Sequence, residues 1–497
     1  MTSSADKAGH CSVRVQSGPV VGVRLGTIDR YLGIPYAAPV TRFELPRARQ
    51  PWVEPFQATA PGPAAPHRVA PFPGLDVIPL VGSGGLGQGN DYLRLNVWAP
   101  VAAVDAPVMV FIHGGGFVVG SKDAPIQDGS AFARSGIVCV AINYRMGIDG
   151  FLPVPGVPTN LGLRDMLFAL QWVQDNIAAF GGDPGRVTVF GESAGAMAIA
   201  DLVTSPLAKG LFRRAIIQSG HGSMVRDIGV ARRLVRKLAK KLSVTPDAAG
   251  FRTVGDEAAV EAIEKLAKPN AIDLRDAAGF EPVYGISRFI PVWGDDVLPQ
   301  KPLDALRDGA GRDVEVLIGT NAEEMNLYFV PTGVRERIPG LVAWWLLARS
   351  QPRARVALKA YGLGQAGVKP GHAMTRAMTD LVFRWPARQY ASAHQGRTWM
   401  YELDWGSPAF DGQLGACHGL ELPFVFKTTA IATGPEGLLG PIEPVELAER
   451  VHPIWAGFAR DGLLPWPQWG ADRQVYQLDR GKAIREAVMP AAQFLPE

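Results

Sequence analysis

Apolar and polar residues alternate through 13–23 around Ser17-Gly18-Pro19, which predicts an N-terminal β-hairpin. Segment 53–89 is so rich in Pro and Gly that it predicts a long irregular loop with no regular element, and loops of that length are more often functional than idle. Two continuous apolar runs, 107–112 and 137–142, have the pattern of strands buried on both faces of a parallel sheet. Met166, Leu167, Leu170, Val173 and Ile177 then recur at helical spacing, predicting a helix over 163–180 that Gly181-Gly182-Asp183-Pro184 ends. The alternation repeats with a strand at 186–190, a helix at 194–203, and strands at 214–218, 314–319 and 397–401. Strands alternating with helices predict the α/β class, a large, mostly parallel central sheet covered on both faces. Segments 224–281 and 330–378 are mostly helical in pattern and are expected as insertions above the sheet. No linker composition or internal repeat divides the 497 residues, so 1–497 is expected to be one domain although ~100–200 residues per domain is usual.

Composition narrows the function classes. Hydrophobic residues make up 47% and charged residues 20%, enough for a large core without metal or disulfide staples. The net charge of +3 is too balanced for a surface built to neutralise nucleic-acid phosphates. Cys11, Cys139 and Cys417 are too few and scattered for a disulfide framework or a zinc cluster, so a reducing compartment is expected. Residues 1–10 lack the apolar core of a secretory signal, and the longest charge-free apolar stretch, 106–121, falls short of the ~18–20 residues of a bilayer span. A soluble, cytoplasmic protein without stable membrane association is expected. Arg232, Arg233, Arg236, Lys237, Lys240 and Lys241 share a predicted helix with Leu234, Val235, Leu238 and Leu242. Such a pattern can lie on an anionic membrane, but a solvated helix face is the expectation adopted.

Chemistry enters with Gly191-Glu192-Ser193-Ala194-Gly195, a G-x-S-x-G between a predicted strand and helix. In that context small residues permit a sharp turn that lifts a serine nucleophile from the sheet edge, and the Ala194 N–H lies where an oxyanion would form. Upstream, His113-Gly114-Gly115-Gly116-Phe117 follows a buried strand, and its glycines let the Gly115 and Gly116 N–H groups approach a substrate oxygen. A serine nucleophile needs a base, and the base an acid. Of eight histidines, His418 lies in a flexible turn, Gly415-Ala416-Cys417-His418-Gly419, beyond the strand at 397–401. Glu323 and Glu324 both follow the strand at 314–319, and position alone does not separate them.

Together with Tyr31-Leu32-Gly33-Ile34-Pro35-Tyr36-Ala37, Leu95-Asn96-Val97-Trp98, Asn143-Tyr144-Arg145 and the block 160–220, these motifs make the chain resemble the type-B carboxylesterases over nearly its whole length. That family is the α/β-hydrolase branch containing bacterial nitrobenzyl-ester esterases, animal carboxylesterases and cholinesterases. The resemblance implies an α/β-hydrolase fold and a serine carboxylester hydrolase without cofactor or metal. It selects Glu324 in Gly319-Thr320-Asn321-Ala322-Glu323-Glu324-Met325, with Met325 where the family has glycine, and His418 in His418-Gly419-Leu420-Glu421-Leu422-Pro423. Phe289, Leu327 and Tyr328 are implied as pocket lining, and Glu192 borders the site. Asn90-Asp91-Tyr92-Leu93 lacks the cysteine that usually closes the early loop, which is therefore expected to be looser. No equivalent of the cholinesterase ammonium-binding tryptophan is found before Asn90, so uncharged short- to medium-chain or aryl esters are expected as substrates. The expected partners are a small ester and water, with no nucleic acid, and the chain is expected as a monomer or weak dimer. An amidase or transacylase on the same triad, and a non-catalytic binding protein of the same fold, are the alternatives.

Overall fold

Three antiparallel strands, β1 (Gly9–Val15), β2 (Gly18–Leu25) and β3 (Ile28–Pro35), open the described part of the computed structural model, which covers residues 9–268 and 271–496. The segment 1–8, read above for a signal, lies outside the described residues. Val15 pairs with Gly18, so the predicted hairpin turns where Ser17-Gly18-Pro19 marks it. There follow β4 (Phe56–Gln57), β5 (Arg94–Pro100), β6 (Ala106–Ile112), β7 (Val138–Ile142), β8 (Gly182–Glu192) and β9 (Arg214–Gln218). A two-residue parallel pair, β10 (Arg226–Asp227) with β11 (Val292–Trp293), stands apart, and β12 (Glu315–Asn321), β13 (Thr398–Leu403), β14 (Gln474–Gln477) and β15 (Lys482–Arg485) complete the set. The large sheet runs β1-β2-β3-β5-β7-β6-β8-β9-β12-β13-β14-β15, with β4 beside β2. From β7 to β14 every neighbouring pair is parallel; the antiparallel pairs lie toward the two edges.

The continuous apolar runs predicted strands buried on both faces, and β6 shows why. Its Val108, Val110 and Ile112 join one apolar core, while Met109 and Phe111 join the other, the two-residue period of a pleated strand. Helices Leu161–Asn176 and Ala194–Thr204 pack into the first core; helix Val445–Asp461 covers the opposite face through Leu447, Val451 and Trp455. Strand β8 begins earlier than the predicted 186 because Gly182 pairs with Ala106 ahead of an irregularity in register.

The 53–89 segment is mostly irregular but does contain regular pieces, β4 and the single helical turn Ile78–Val81, whose Pro79 is compatible with a helix start. In place of a disulfide, Asp91 accepts from Arg49 at 2.6 Å and from Arg94 at 2.6 Å. The buried Lys122 ammonium also donates to the Pro61 carbonyl at 2.8 Å, tying the loop to the sheet. Helices Ile228–Leu242, Ala248–Arg252 and Asp256–Leu266 occupy the first predicted insertion, yet 271–281 holds neither helix nor strand. There Asp273 and Asp276 accept from backbone N–H groups two residues ahead, the local turns that compete with a helix. The second insertion folds as Val334–Arg337, Gly340–Ala348, Ala354–Ala360 and Pro370–Thr379. No helix of the described residues is long and apolar enough to cross a membrane.

Candidate active site

Ser193 sits at the carboxyl end of β8 with φ 54° and ψ −122°, a strained conformation for a residue with a side chain. Its neighbours make that turn possible. A Cβ on Gly191 would lie 2.6 Å from the Ile112 carbonyl oxygen, and one on Gly195 would collide with the same atom. The Ser193 N–H donates to the Gln218 carbonyl at 2.9 Å, and its own carbonyl accepts from Met197 N–H at 2.8 Å, so the serine caps the following helix. As the first residue inside that helix, Ala194 has an N–H without an intrahelical acceptor.

The glycine loop leaves β6 beside this elbow, and a Cβ on Gly114 would lie 3.0 Å from that of Ser193. Gly115 and Gly116 have φ values of 100° and 61°, and neither N–H donates to a backbone acceptor among the described residues. The loop is braced from both sides. Tyr144 stacks on the His113 ring at 4.5 Å and donates to the His113 carbonyl at 2.9 Å. From beyond β10, the Ser287 hydroxyl donates to the Gly116 carbonyl at 2.6 Å.

The loops after β12 and β13 are zipped together by backbone hydrogen bonds, Glu323 N–H to the Ala416 carbonyl at 2.9 Å and His418 N–H to the Glu324 carbonyl at 3.2 Å. Consecutive glutamates consequently face different ways. Glu324, fully buried, places Oε2 2.7 Å from His418 Nδ1, while its Oε1 accepts from Asn321 N–H at 2.8 Å. Glu323 instead accepts from Ala416 N–H at 3.1 Å and Asn326 at 3.3 Å, fastening the histidine loop. Met325 has φ −74°, a conformation open to any residue, so no glycine is required there. Position left the two glutamates equivalent; the fold brings Glu324 to His418.

On the other side of the imidazole, Nε2 is buried without a hydrogen-bond partner and lies 3.1 Å from Glu192 Oε1, a contact whose angles do not make a hydrogen bond. Phe383, on the π-helical turn Asp380–Arg384, meets the ring at 4.7 Å, and Tyr328 at 5.8 Å. Burial of His418 opposes its charge, but Glu192 and Glu324 outweigh burial and lift the imidazole to about 9. Burial likewise pushes Glu192 up, to about 8. Burial lowers His113 to about 3 and His221 to about 4, leaving both neutral at ordinary pH.

Behind the pair lies a polar network that residue spacing did not reveal. Glu421 accepts from Asn321 at 2.7 Å and from Gln218 at 3.0 Å, and Gln218 in turn accepts from the Trp455 indole N–H at 3.0 Å. Burial raises the Glu421 carboxyl, with Glu324 adding to the effect. The glutamate of His418-Gly419-Leu420-Glu421 was its only signal in the sequence. Of the residues expected in the pocket, Tyr328 lines a cavity of about 300 Å³ together with Met325, Phe329 and Met378. Phe289 and Leu327 are buried in the two apolar cores, Phe289 next to Ser287.

The chain matches the Carboxylesterase family over residues 10–488. It is 34% identical over 493 residues to the para-nitrobenzyl esterase of Bacillus subtilis (strain 168), covering 95% of each sequence. The liver carboxylesterase of Sus scrofa is 32% identical over 495 residues, covering 90% of this chain and 84% of that protein. A solved structure of a PNB esterase superposes with a TM-score of 0.82 at 31% identity, over 98% of this chain and 100% of that one. The strand-end serine, the glycine loop and the full-length match place this chain in the carboxylesterase family, as a carboxylic ester hydrolase of α/β-hydrolase fold.

Proposed function

We propose that the chain cleaves uncharged short- to medium-chain or aryl esters through an acyl-enzyme on Ser193. Ser193 Oγ attacks the carbonyl carbon while His418 Nε2 takes its proton, and the Gly115, Gly116 and Ala194 N–H groups hold the oxyanion. Collapse of the tetrahedral intermediate breaks the bond to the alcohol, which leaves with the proton from His418. Water then gives a proton to the same imidazole as it attacks the acyl-serine, and collapse of the second tetrahedral intermediate breaks the bond to Ser193 Oγ, returns that proton to it and releases the carboxylic acid. Glu324 fixes the Nδ1–H tautomer and stabilises the imidazolium without taking the proton. The observation that carries this reading is the fully buried 2.7 Å contact between Glu324 and His418, with Nε2 left unpartnered beside the elbow.

The substrate class is supported by the apolar lining of the cavity next to His418, Met325, Tyr328, Phe329 and Met378. Each buried methylene contributes up to about 0.8 kcal/mol, so kcat/KM should grow with acyl length until the cavity is full and then fall. The test is kcat/KM for nitrophenyl acetate, butyrate, octanoate and palmitate beside butyrylthiocholine and matching anilides. Preference for butyrylthiocholine over an uncharged thioester of the same size would overturn the uncharged-substrate reading, and faster anilide cleavage the ester reading. The three cysteines are free and buried, which supports a reducing, cytoplasmic setting.

A further inference from the structure

The helix Gly340–Ala348, Gly-Leu-Val-Ala-Trp-Trp-Leu-Leu-Ala, has no polar side chain, yet only part of it is buried. Ala343 and Leu347 point inward, while Leu341 is 74% exposed and Trp344 and Trp345 are 39% and 41% exposed. Val342 and, on the following helix, Val356 extend the patch. An ordinary surface helix keeps such residues on its inner stripe, and a contiguous exposed group rimmed by charge marks an interaction surface. Charge along 333–360 is mostly basic, with Arg335, Arg337, Arg349, Arg353, Arg355 and Lys359 against Glu336 alone, and Arg349 lies over the Trp345 ring at 5.7 Å.

A second observation lies next to it. Arg232, Arg233, Arg236, Lys237, Lys240 and Lys241, singled out in the sequence, are all exposed on helix Ile228–Leu242, and none forms an ion pair among the described residues. On the neighbouring helix Asp256–Leu266 the carboxylates pair elsewhere, Asp256 with Arg42, Glu257 and Glu264 with Arg68 and Glu261 with Lys265, although Glu261 also feels the charge of Lys241. The basic and apolar helices flank one short segment: Arg233 donates to the Arg275 carbonyl at 2.9 Å and Arg349 to the Ile272 carbonyl at 3.4 Å. Exposed tryptophans beside uncompensated cations are the two halves of an interfacial anchor, apolar rings for the acyl boundary and positive charge for the headgroups.

We infer that the Trp344–Trp345 helix and the basic helix Ile228–Leu242 together form a docking surface for an anionic lipid bilayer. Charge complementarity selects that occupant over a second copy of the chain, whose own surface here would bring cation to cation. Leu346 and Leu347, on the inner side of the same helix, line the cavity that also includes Tyr328, whose ring lies 5.8 Å from that of His418. Binding itself does not depend on the chemistry at Ser193.

The test is co-sedimentation of the whole protein with phosphatidylcholine vesicles, with and without phosphatidylglycerol. Binding to the anionic vesicles is expected, weak on pure phosphatidylcholine and falling as salt rises. Each of Arg236→Gln, Lys237→Gln and Lys240→Gln should weaken it about fivefold, and the triple variant correspondingly more. Trp344→Glu with Trp345→Glu should abolish it. Both variants should keep their thermal unfolding midpoint and their rate on nitrophenyl acetate, which reports folding separately. Failure to sediment with anionic vesicles at low salt overturns the proposal, as does sedimentation unchanged by the basic-face variant. A concentration-dependent dimer by light scattering, lost in the tryptophan variant, would assign the patch to a second copy and overturn it equally.

Discussion

Ser193 combines a strained backbone with the hydroxyl proposed as nucleophile, so its removal should separate folding from activity. Ser193→Ala is expected to keep the unfolding free energy within about 1 kcal/mol while kcat/KM for nitrophenyl butyrate falls on the order of 10⁴-fold or more. A phosphonate ester should attach at this serine alone by peptide mass mapping. The adjacent glutamates offer a sharper comparison. Glu324→Gln removes the charge behind the imidazole and should lower kcat by about 10⁴-fold with little change in KM, whereas Glu323→Gln loosens only the loop contacts to Ala416 and Asn326, at about 1 kcal/mol of stability. If the two exchanged severities, the acid would be Glu323. The pH profile follows from the carboxylates around His418. An unperturbed histidine titrates near ~6.5, but this one is lifted to about 9, and the base is its neutral form. The rising limb of kcat/KM should therefore lie above the ordinary histidine range, and Glu192→Gln, by removing one of the two carboxylates, should move it down. A limb that stays in place would remove Glu192 from the electrostatics of the base. In stability the sign is opposite to the usual carboxylate case: charged His418 favours the folded state fully below ~6.5, and that contribution fades as pH rises through about 9.

At the level of elements, the elbow works because β6, β8 and the Ala194–Thr204 helix approach closely enough that only glycine fits at 191 and 195. Gly195→Ala, conservative within a helix, should here push the turn off the Ile112 carbonyl, costing ~3 kcal/mol by urea unfolding and most of kcat. Much of this was legible in the sequence for a local reason. Strands buried on both faces leave continuous apolar runs, and the elbow and glycine loop are each contiguous motifs that need no distant partner to be read. What stayed hidden lies between segments far apart in the chain. Ser287 under Gly116, the Glu421 network with Gln218 and Trp455, and the Arg49–Asp91–Arg94 substitute for a disulfide each pair residues whose spacing carries no signal. Glu323 and Glu324 could not be separated by position because their divergence is set by which carbonyl of the histidine loop each backbone meets. The segment 330–378 was legible as a helical insertion, but hydrophobicity alone does not say whether a covering partner for the all-apolar helix Gly340–Ala348 exists within the chain.

For the whole molecule, the reacting groups depend on how the sheet is clamped to its helices. Arg145 at the end of β7 donates through Nε and Nη2 to both oxygens of Asp165, at 2.7 and 2.6 Å, and through Nη1 to the Glu44 carbonyl at 2.6 Å, with both side chains buried. Asp165→Asn leaves a buried guanidinium uncompensated and should cost about 3–5 kcal/mol in denaturant unfolding, while the surviving folded molecules keep normal kcat. A larger loss of kcat than of stability would mean that this clamp also positions the glycine loop that follows β6. The site itself is spread along the chain. In the proposed triad the nucleophile follows β8, the acid β12 and the base β13, and β9 lies between the first two in the sheet. Such long-range assembly is slow, and it has an order when the protein is made from its N-terminus. A growing chain that has emerged only as far as β9 carries the serine elbow with neither acid nor base to act on it, so a half-made molecule has no means to hydrolyse the esters around it. Catalytic competence on the ribosome should appear only after the loop beyond β13 has emerged and closed over the elbow, which makes the onset of turnover a clock for completion of the sheet.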